Sequence, residues 1–181
     1  SALKGGTVSP MGLRKMLRAQ AIALENRLPL VYLVESGGAN LMYQSEMFVE
    51  GGRSFANQAR LSAAGIPQIA VVHGSSTAGG AYLPGLADYV VLVRGRSSIY
   101  LAGPPLVKAA TGQEVTPEEL GGADVHTRQS GVADHYATSD EHALAIARSI
   151  VGNLGGRKPE PPWEVTAPEA PAVDPSDFYG L

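Results

Sequence analysis

The chain has 181 residues, of which 44% are hydrophobic, 17% are charged and 6% are aromatic, and its net charge is −3. The apolar share can form a buried core, and the acidic balance gives no general attraction for nucleic acid or an anionic membrane. The chain has no cysteine, which excludes disulfides, thiolate metal sites and a cysteine nucleophile. No apolar run reaches the roughly 18 residues that a membrane helix needs.

Short helices and strands alternate along the first 154 residues. Ser9 is suited to cap a helix that starts at Pro10 and runs to about Asn26. The apolar run at 30–34 predicts a fully buried strand of a parallel sheet. Strands alternating with helices predict an α/β fold. Further helices are predicted at 53–64, 79–87, 116–120 and 139–154, and further strands at 68–72 and 89–93; the core face predicted for the first helix is Leu13, Met16, Leu17, Ala21 and Leu24.

The C-terminal residues 155–181 have a different composition. Six of the 13 prolines of the chain fall here, and the sequence has neither helical nor strand periodicity. This composition predicts an extended Pro-rich linker or arm. Trp163 and Phe178 are expected to anchor the arm by packing.

Two glycine-rich clusters, residues 35–40 (ESGGAN) and 74–81 (GSSTAGGA), each follow a predicted strand. A turn from a strand into a helix leaves the first backbone N–H groups of the helix without partners, and paired glycines let a ligand approach closely. Two such turns on neighbouring strands can aim two N–H donors at one oxygen, as an oxyanion hole does. Taken singly, each cluster is better explained as a tight turn that needs small residues.

Several other chemistries are disfavoured. The phosphate-binding GxxxxGK[ST] and dinucleotide-binding GxGxxG motifs are absent, and Ala78 stands where a serine elbow at Ser76 would need glycine. His73 is interpreted as a hydrogen-bonded residue at a strand end rather than as a base for Ser75 or Ser76. No histidine has metal-ligand spacing, so no metal site is predicted.

Four stretches together resemble the carboxyltransferase β subunit of biotin-dependent acyl-CoA carboxylases. The sequence most resembles the methylcrotonyl-CoA and geranyl-CoA carboxylase type, chiefly through the motifs SGGANL and GPPLVKAATG. The resemblance implies a crotonase-like spiral of β-β-α units over residues 1–154, with residues 155–181 leading toward a second half. The stretches are LVYLVESGGAN from Leu30, IPQIAVVHGSSTAGGAY from Ile66, GPPLVKAATGQEVTPEELGGADVHTRQSGVADHYA from Gly103 and HALAIARSIVGNL from His142.

The resemblance also implies a reaction and its partners. A carboxyl group would pass from carboxybiotin to an acyl-CoA, expected to be 3-methylcrotonyl-CoA or a similar branched enoyl-CoA. Biotin would be carried by a biotin carboxylase or biotin carrier subunit, and the β subunits would form a homo-oligomer in the cytoplasm, or in the mitochondrial matrix of a eukaryote. Because the chain begins with Ser1 and matches most of one half of a β subunit, it is expected to be a fragment that is inactive alone.

The two glycine clusters carry the predicted site. The N–H groups of Gly79 and Gly80 are predicted to stabilise an enolate oxygen, which makes them the catalytic residues. Lys108 is predicted to neutralise a CoA phosphate as a point charge. The residues predicted to bind substrate are Gly37, Gly38, Ala39, Ala81 and Lys108.

Alternatives within the same fold remain open. Tyr82 stands where enoyl-CoA hydratases carry a glutamate, and a tyrosine hydroxyl, which is protonated at neutral pH, is a poor general base. A hydratase or isomerase is therefore disfavoured. A propionyl-CoA or acetyl-CoA carboxylase, a malonyl-CoA-type decarboxylase and a non-catalytic CoA-binding fragment stay as alternatives.

Overall fold

The computed structural model describes residues 3–155, 169, 172–174, 176 and 179, so Trp163 and Phe178 lie outside the described residues. Short 3₁₀ turns lie at Leu3–Gly6, Leu41–Tyr43 and Ala78–Ala81. The helices are α1 (Pro10–Asn26), α2 (Gln44–Ala63), α3 (Tyr82–Gly85), α4 (Pro104–Thr111), α5 (Pro117–Gly121), α6 (Ala123–Arg128) and α7 (Asp140–Asn153), and the strands are β1 (Leu30–Ser36), β2 (Gln68–Thr77), β3 (Tyr89–Val93), β4 (Ser98–Tyr100) and β5 (His135–Ala137).

A parallel sheet forms the centre of the molecule. Its strand order is β1-β2-β3-β5, and β4 pairs in parallel with the last residues of β2. One face buries Val34, Val72 and Leu92, and the other buries Val71 and Val91 beneath α7. The predicted α/β class is therefore confirmed, and the carboxyl ends of β1 and β2 lie side by side.

Helix α1 has the predicted bounds but a different buried face. Its start is fixed locally, because the Ser9 side chain accepts the Gly12 N–H and Pro10 fits the first helical position. Ala21 and Leu24, predicted to face the core, are exposed, and Gln20 is buried instead. The Gln20 amide donates to the Tyr32 hydroxyl and to a backbone carbonyl of α2, so its burial leaves that donor satisfied.

Strand β1 is not fully buried, which corrects the prediction. Val31 is 40% exposed and Leu33 is 63% exposed, whereas the alternating residues Tyr32 and Val34 are buried. Strand β1 lies at the edge of the described sheet, and α7 packs over β2, β3 and β5. An edge strand with cover on one face shows the alternation seen here rather than a continuous buried run.

The remaining elements agree in part with the prediction. Strand β3 has the predicted bounds, and α5 and α7 are within two residues of them, with Thr116 and Ser139 as their N-caps. Helix α2 begins nine residues earlier than predicted, and β2 continues to Thr77, through the first half of the second glycine cluster. The helix predicted at 79–87 is a 3₁₀ turn followed by the single turn α3, and β4, α6 and β5 were not predicted.

Candidate functional site

The two glycine clusters meet on one cavity of about 350 Å³. The cavity lies at the carboxyl ends of β1 and β2, where the parallel pairing of the strands brings their following loops together. The sequence prediction that two turns on neighbouring strands would converge is consistent with this geometry. The lining residues from the clusters are Gly37, Gly38 and Ala39 after β1, and Ala78, Gly79 and Gly80 after β2.

The backbone requires both glycines of the first cluster, Gly37 by close packing and Gly38 by its conformation. A Cβ at Gly37 would lie 2.5 Å from the Gly5 carbonyl oxygen, which no side chain tolerates. Gly38 has a φ of +89°, in the region that favours glycine. Its N–H donates to the Ser36 hydroxyl over 3.1 Å, so this donor is already used within the loop.

The N–H of Ala39 points away from the N-terminal segment that pairs with this loop. The N-terminal segment runs parallel to the first cluster, with Val8 bridging Ala39. Val8 donates to the Gly38 carbonyl over 2.9 Å and accepts the Asn40 N–H over 3.1 Å. In a parallel bridge of this kind the central residue directs its own N–H away from its partner, so the Ala39 N–H is the donor of this loop that can reach a ligand.

The second cluster has one crowded and one open glycine. A Cβ at Gly80 would lie 2.9 Å from the Ser36 Cβ and Oγ, and the Gly80 carbonyl accepts the Ser76 hydroxyl over 2.9 Å. A Cβ at Gly79 would meet Phe55 at an ordinary 3.8 Å. Gly79 is the second residue of the 3₁₀ turn, where an N–H has no acceptor within the helix. Because Gly79 also lines the cavity, its N–H is a candidate donor to a ligand there.

Ala78 holds the start of this turn in an unusual conformation. Its φ is +52°, in the left-handed region that costs an alanine on the order of 1 kcal/mol. The residue lies between the last residue of β2 and Gly79, so the strained backbone sets the direction in which the turn leaves the strand. Strain of this kind concentrates at functional sites.

Apart from Ser54, the rest of the cavity wall is apolar. Gly51 and Gly52 of α2 also line it, and a Cβ at either position would have no atom within 4 Å. No lining residue in the described part of the chain carries a charge, which suits an uncharged chain of carbon atoms beside the two backbone donors. The apolar side chains of the wall are Val8, Leu13, Met16, Leu41, Met47, Phe48, Phe55 and Leu83.

Three other residues of the sequence analysis do not line this cavity. Ala81, the last residue of the 3₁₀ turn, is buried in the core, and Lys108 lies on the exposed helix α4, where it forms an ion pair with Glu114. Tyr82 is half exposed, and its ring packs against Phe55 with centroids 5.1 Å apart. The cavity therefore unites five of the seven predicted site residues and leaves out Ala81 and Lys108.

His73 is hydrogen-bonded, as predicted, and no serine is its partner. Its Nδ1 lies 2.8 Å from Oδ1 of Asp140, and this hydrogen bond is the main reason that the pKa of Asp140 is lowered. Ser75 instead contacts the hydroxyls of Ser98 and Tyr100, each over 3.2 Å.

Two residues that position the site were not identified from the sequence. Ser36 accepts the Gly38 N–H and fills the space above Gly80, and Val8 fixes the peptide groups on both sides of Ala39. A serine directly before two glycines is a visible sign of a local side-chain cap. Val8 carries no such sign, since its role depends on the approach of a segment 31 residues away in the chain.

Within residues 3–155 and the other described positions, no group of three or more histidines, aspartates or glutamates could hold a metal ion. None of the helices described is both long and apolar enough to cross a membrane.

Comparison with known proteins gives one family. A carboxyl transferase domain model matches residues 1–180. The mitochondrial methylcrotonoyl-CoA carboxylase beta chain of Dictyostelium discoideum is 56% identical over 184 residues, covering 100% of this chain and 31% of the relative. The propionyl-CoA carboxylase beta chain of Roseobacter denitrificans is 33% identical over 174 residues, covering 95% and 34%. The crystal structure of the beta subunit of P. aeruginosa geranyl-CoA carboxylase has a TM-score of 0.79 at 60% identity, covering 85% of this chain and 29% of that chain.

The chain spans about a third of the length of these relatives. The structural match confirms the α/β fold of a carboxyltransferase β subunit, which the sequence resemblance implied. The sequence identity is higher to the methylcrotonoyl-CoA and geranyl-CoA carboxylase subunits than to the propionyl-CoA carboxylase subunit, as the motifs SGGANL and GPPLVKAATG predicted. This chain belongs to the carboxyl transferase domain family.

Proposed function

We propose that the full-length protein transfers a carboxyl group from carboxybiotin to a carbon atom of the acyl chain of an acyl-CoA. We propose further that this chain supplies the part of the site that binds the acyl-CoA. The observation that supports this proposal most directly is the meeting of two glycine turns on one apolar cavity. Each turn offers one unused backbone donor, from Ala39 and from Gly79. The thioester oxygen would lie between them.

The role of the two donors is to stabilise charge. When a proton leaves the acyl chain of a CoA thioester, negative charge develops on the thioester oxygen as an enolate. Fixed N–H dipoles stabilise this charge without reorganising, and one such donor is worth about 10²–10³ in rate. Gly38 and Gly80 support the two donors by packing closely against Ser36.

The cavity offers no side chain suited to act as a general base. Its described lining lacks carboxylates and histidines, and Tyr82 packs against Phe55. Carboxybiotin, when bound, supplies the carboxyl group and a ring nitrogen that can accept the proton. The residues of this chain then orient the acyl group, exclude water and hold the enolate.

We also propose a branched enoyl-CoA as the substrate, of the methylcrotonyl or geranyl kind. A volume of about 350 Å³ with an apolar wall falls in the range of small-molecule pockets, roughly 300–1,000 Å³. A methylcrotonyl group has two more carbons than a propionyl group. Burying two carbons is worth about 1.6 kcal/mol, or roughly tenfold in kcat/KM.

The proposed enzyme includes parts beyond this chain. Residues 1–154 would form part of the N-terminal carboxyltransferase domain, and residues 155–181 would connect to a second half. Biotin would be carried by a biotin carboxylase or carrier subunit, and β subunits would associate with one another. Lys108 would contact a CoA phosphate, and Ala81 would support the turn. The cytoplasm, or the mitochondrial matrix in a eukaryote, is the proposed location.

The test uses the full-length protein assembled with its biotin-carrying partner. Steady-state assays on acetyl-, propionyl-, methylcrotonyl- and geranyl-CoA should give the highest kcat/KM for a branched substrate. A higher value for propionyl-CoA than for both branched thioesters would overturn the substrate assignment. Absence of carboxylation with all four would overturn the proposed activity.

A pair of variants tests the donor assignment. Gly79→Pro removes the N–H, and kcat is expected to fall by about 10²–10³. Gly79→Ala keeps the N–H, and its methyl group meets Phe55 at 3.8 Å, so it should lose far less. Thermal melting of both variants checks the fold. Equal turnover in the two variants, with normal melting, would contradict the role of this donor.

A further inference from the structure

An ion-pair cluster lies where α7 packs on the sheet, outside the lining of the cavity. Both carboxylate oxygens of Asp140, the first residue of α7, are in use: Oδ1 lies 2.8 Å from Nδ1 of His73 and Oδ2 contacts the guanidinium of Arg96. Asp140 thereby joins β2, the turn between β3 and β4, and α7. Because a carboxylate only accepts, Nδ1 of His73 carries the proton.

His73 lies at an irregularity in the pairing of β1 with β2. Val34 pairs with Val72, and the next pair is Ser36 with Ser76. Two residues of β1 therefore advance while four residues of β2 pass, so β2 bulges at 73–75. A bulge bends the strand and re-aims the residues after it, and bulges are common beside active sites.

The bulge controls the direction in which the second glycine turn leaves the sheet. At its end, Ser75 pairs with Ser98 of β4 rather than continuing along β3, and four residues later the chain reaches Gly79. The position of the Gly79 donor relative to Ala39 on the neighbouring strand therefore depends on the shape of the bulge.

Polar side chains hold this bulge. Just before it, Ser97 donates to the Val72 carbonyl and accepts the Val93 N–H over 2.7 Å. Over it, the Glu35 side chain packs on Gly74, where a Cβ would meet it at 2.9 Å. At its start, the His73 side chain is 21% exposed and points to Asp140. Of these contacts, the His73–Asp140 pair is the one that ties the bulge to another layer of the fold.

We infer that His73 and Asp140 are positioning residues, which hold the β2 bulge so that the Gly79 N–H is aligned with the acyl-CoA oxygen. This inference rests on the proposed function of the cavity. Neither residue lines the cavity, so their effect passes through the backbone of residues 73–79. Loss of the pair should lower transition-state stabilisation and leave acyl-CoA binding nearly unchanged.

The test compares two substitutions at one position in the full-length enzyme. His73→Leu removes the hydrogen bond, and kcat is expected to fall by roughly 10–100-fold, the scale that misplacing a catalytic group by an ångström produces. KM for the acyl-CoA should stay within about twofold, since uniform binding is untouched. His73→Asn keeps an amide donor of similar reach and should restore most of the lost turnover.

A second comparison separates this role from the stability of α7. Asp140→Ala should repeat the effect of His73→Leu. Glu141→Gln removes the neighbouring acid of the same helical turn, which has no contact with His73, and should not change kcat. Hydrogen exchange of a peptide covering residues 74–80 gives a readout without activity: exchange should rise in His73→Leu and stay normal in His73→Asn.

The outcomes separate this inference from the proposed function. If the unmodified enzyme carboxylates no acyl-CoA, the proposed function fails, and the exchange data alone decide whether the pair holds the bulge. Normal kcat in His73→Leu, or a His73→Asn enzyme as impaired as His73→Leu, would overturn the inference. So would equal exchange at 74–80 in the two variants.

Discussion

Gly80→Ala is expected to lower both the stability and the kcat of the protein, although it adds a single methyl group. The new Cβ would lie 2.9 Å from both the Cβ and the Oγ of Ser36. Carbon atoms pack at about 3.5–4.0 Å, so Ser36 or the turn must move by roughly 0.6–1 Å. Overpacking of this kind costs about 1–3 kcal/mol.

The displacement reaches the first glycine cluster. The Ser36 hydroxyl accepts the Gly38 N–H over 3.1 Å, so moving Ser36 disturbs the peptide groups that orient Ala39. A neighbouring glycine gives the matched control, because a Cβ at Gly79 would lie 3.8 Å from Phe55. Gly80→Ala should therefore lower both the apparent Tm and kcat, while Gly79→Ala should leave the apparent Tm nearly unchanged.

A double variant checks the cause. Ser36→Gly removes the two atoms that clash with the new methyl group, so Gly80→Ala should cost less stability in that background, with a coupling of about 0.5–3 kcal/mol. Turnover should not recover, because the acceptor for the Gly38 N–H is gone. The measurements are thermal melting and steady-state kinetics of the full-length enzyme. Additive stability losses, or equal melting of Gly79→Ala and Gly80→Ala, would refute this reasoning.

Three further outcomes are expected. Lys108→Ala should raise KM for the acyl-CoA with little change in kcat. Glu114→Gln should lower that KM, because Glu114 competes with a phosphate for the same ammonium group. Equal KM values for the two variants and the unmodified enzyme at low salt would exclude a role of Lys108 in binding. Tyr82→Phe should keep kcat within about threefold, and a collapse would show that the hydroxyl transfers a proton. The hydrogen bond from His73 lowers the pKa of Asp140, so the ionised Asp140 carboxylate stabilises the fold above about pH 4, and this contribution is lost as the pH falls further. The Tm difference between the unmodified protein and Asp140→Asn should therefore close below that pH. A difference that persists there would contradict the linkage.

Local signals in the sequence determined several elements correctly. Ser9 and Pro10 predicted the start of α1, because a cap and a proline act on the adjacent turn whatever lies elsewhere in the molecule. Strand β3 has the predicted bounds, since its apolar run is buried on both faces of the sheet. The first glycine cluster was placed at the end of its strand and the second near the end of β2, which continues to Thr77, and the family was identified from the motifs that contain them.

Other features depended on tertiary contacts. Helix α2 continues through Gly51 and Gly52, which weaken helical propensity, because its buried residues pack against α1 and the sheet. Burial of Gln20 required a hydroxyl and a carbonyl from other elements, which no periodicity reveals. The exposure of Leu33 follows from the place of β1 at the edge of the sheet.

The same division holds within the candidate site. The sequence alone predicted that Gly37, Gly38, Ala39, Gly79 and Gly80 would belong to one site, because the ends of neighbouring parallel strands meet. Which N–H groups remain available there was decided by the tertiary structure. Side chains and segments distant in sequence occupy some of the donors, as Ser36 occupies that of Gly38, and they fix the direction of the others. A change of a few tenths of an ångström in the distance between donor and acceptor decides whether a hydrogen bond forms, and these distances are set when the layers of the fold pack together.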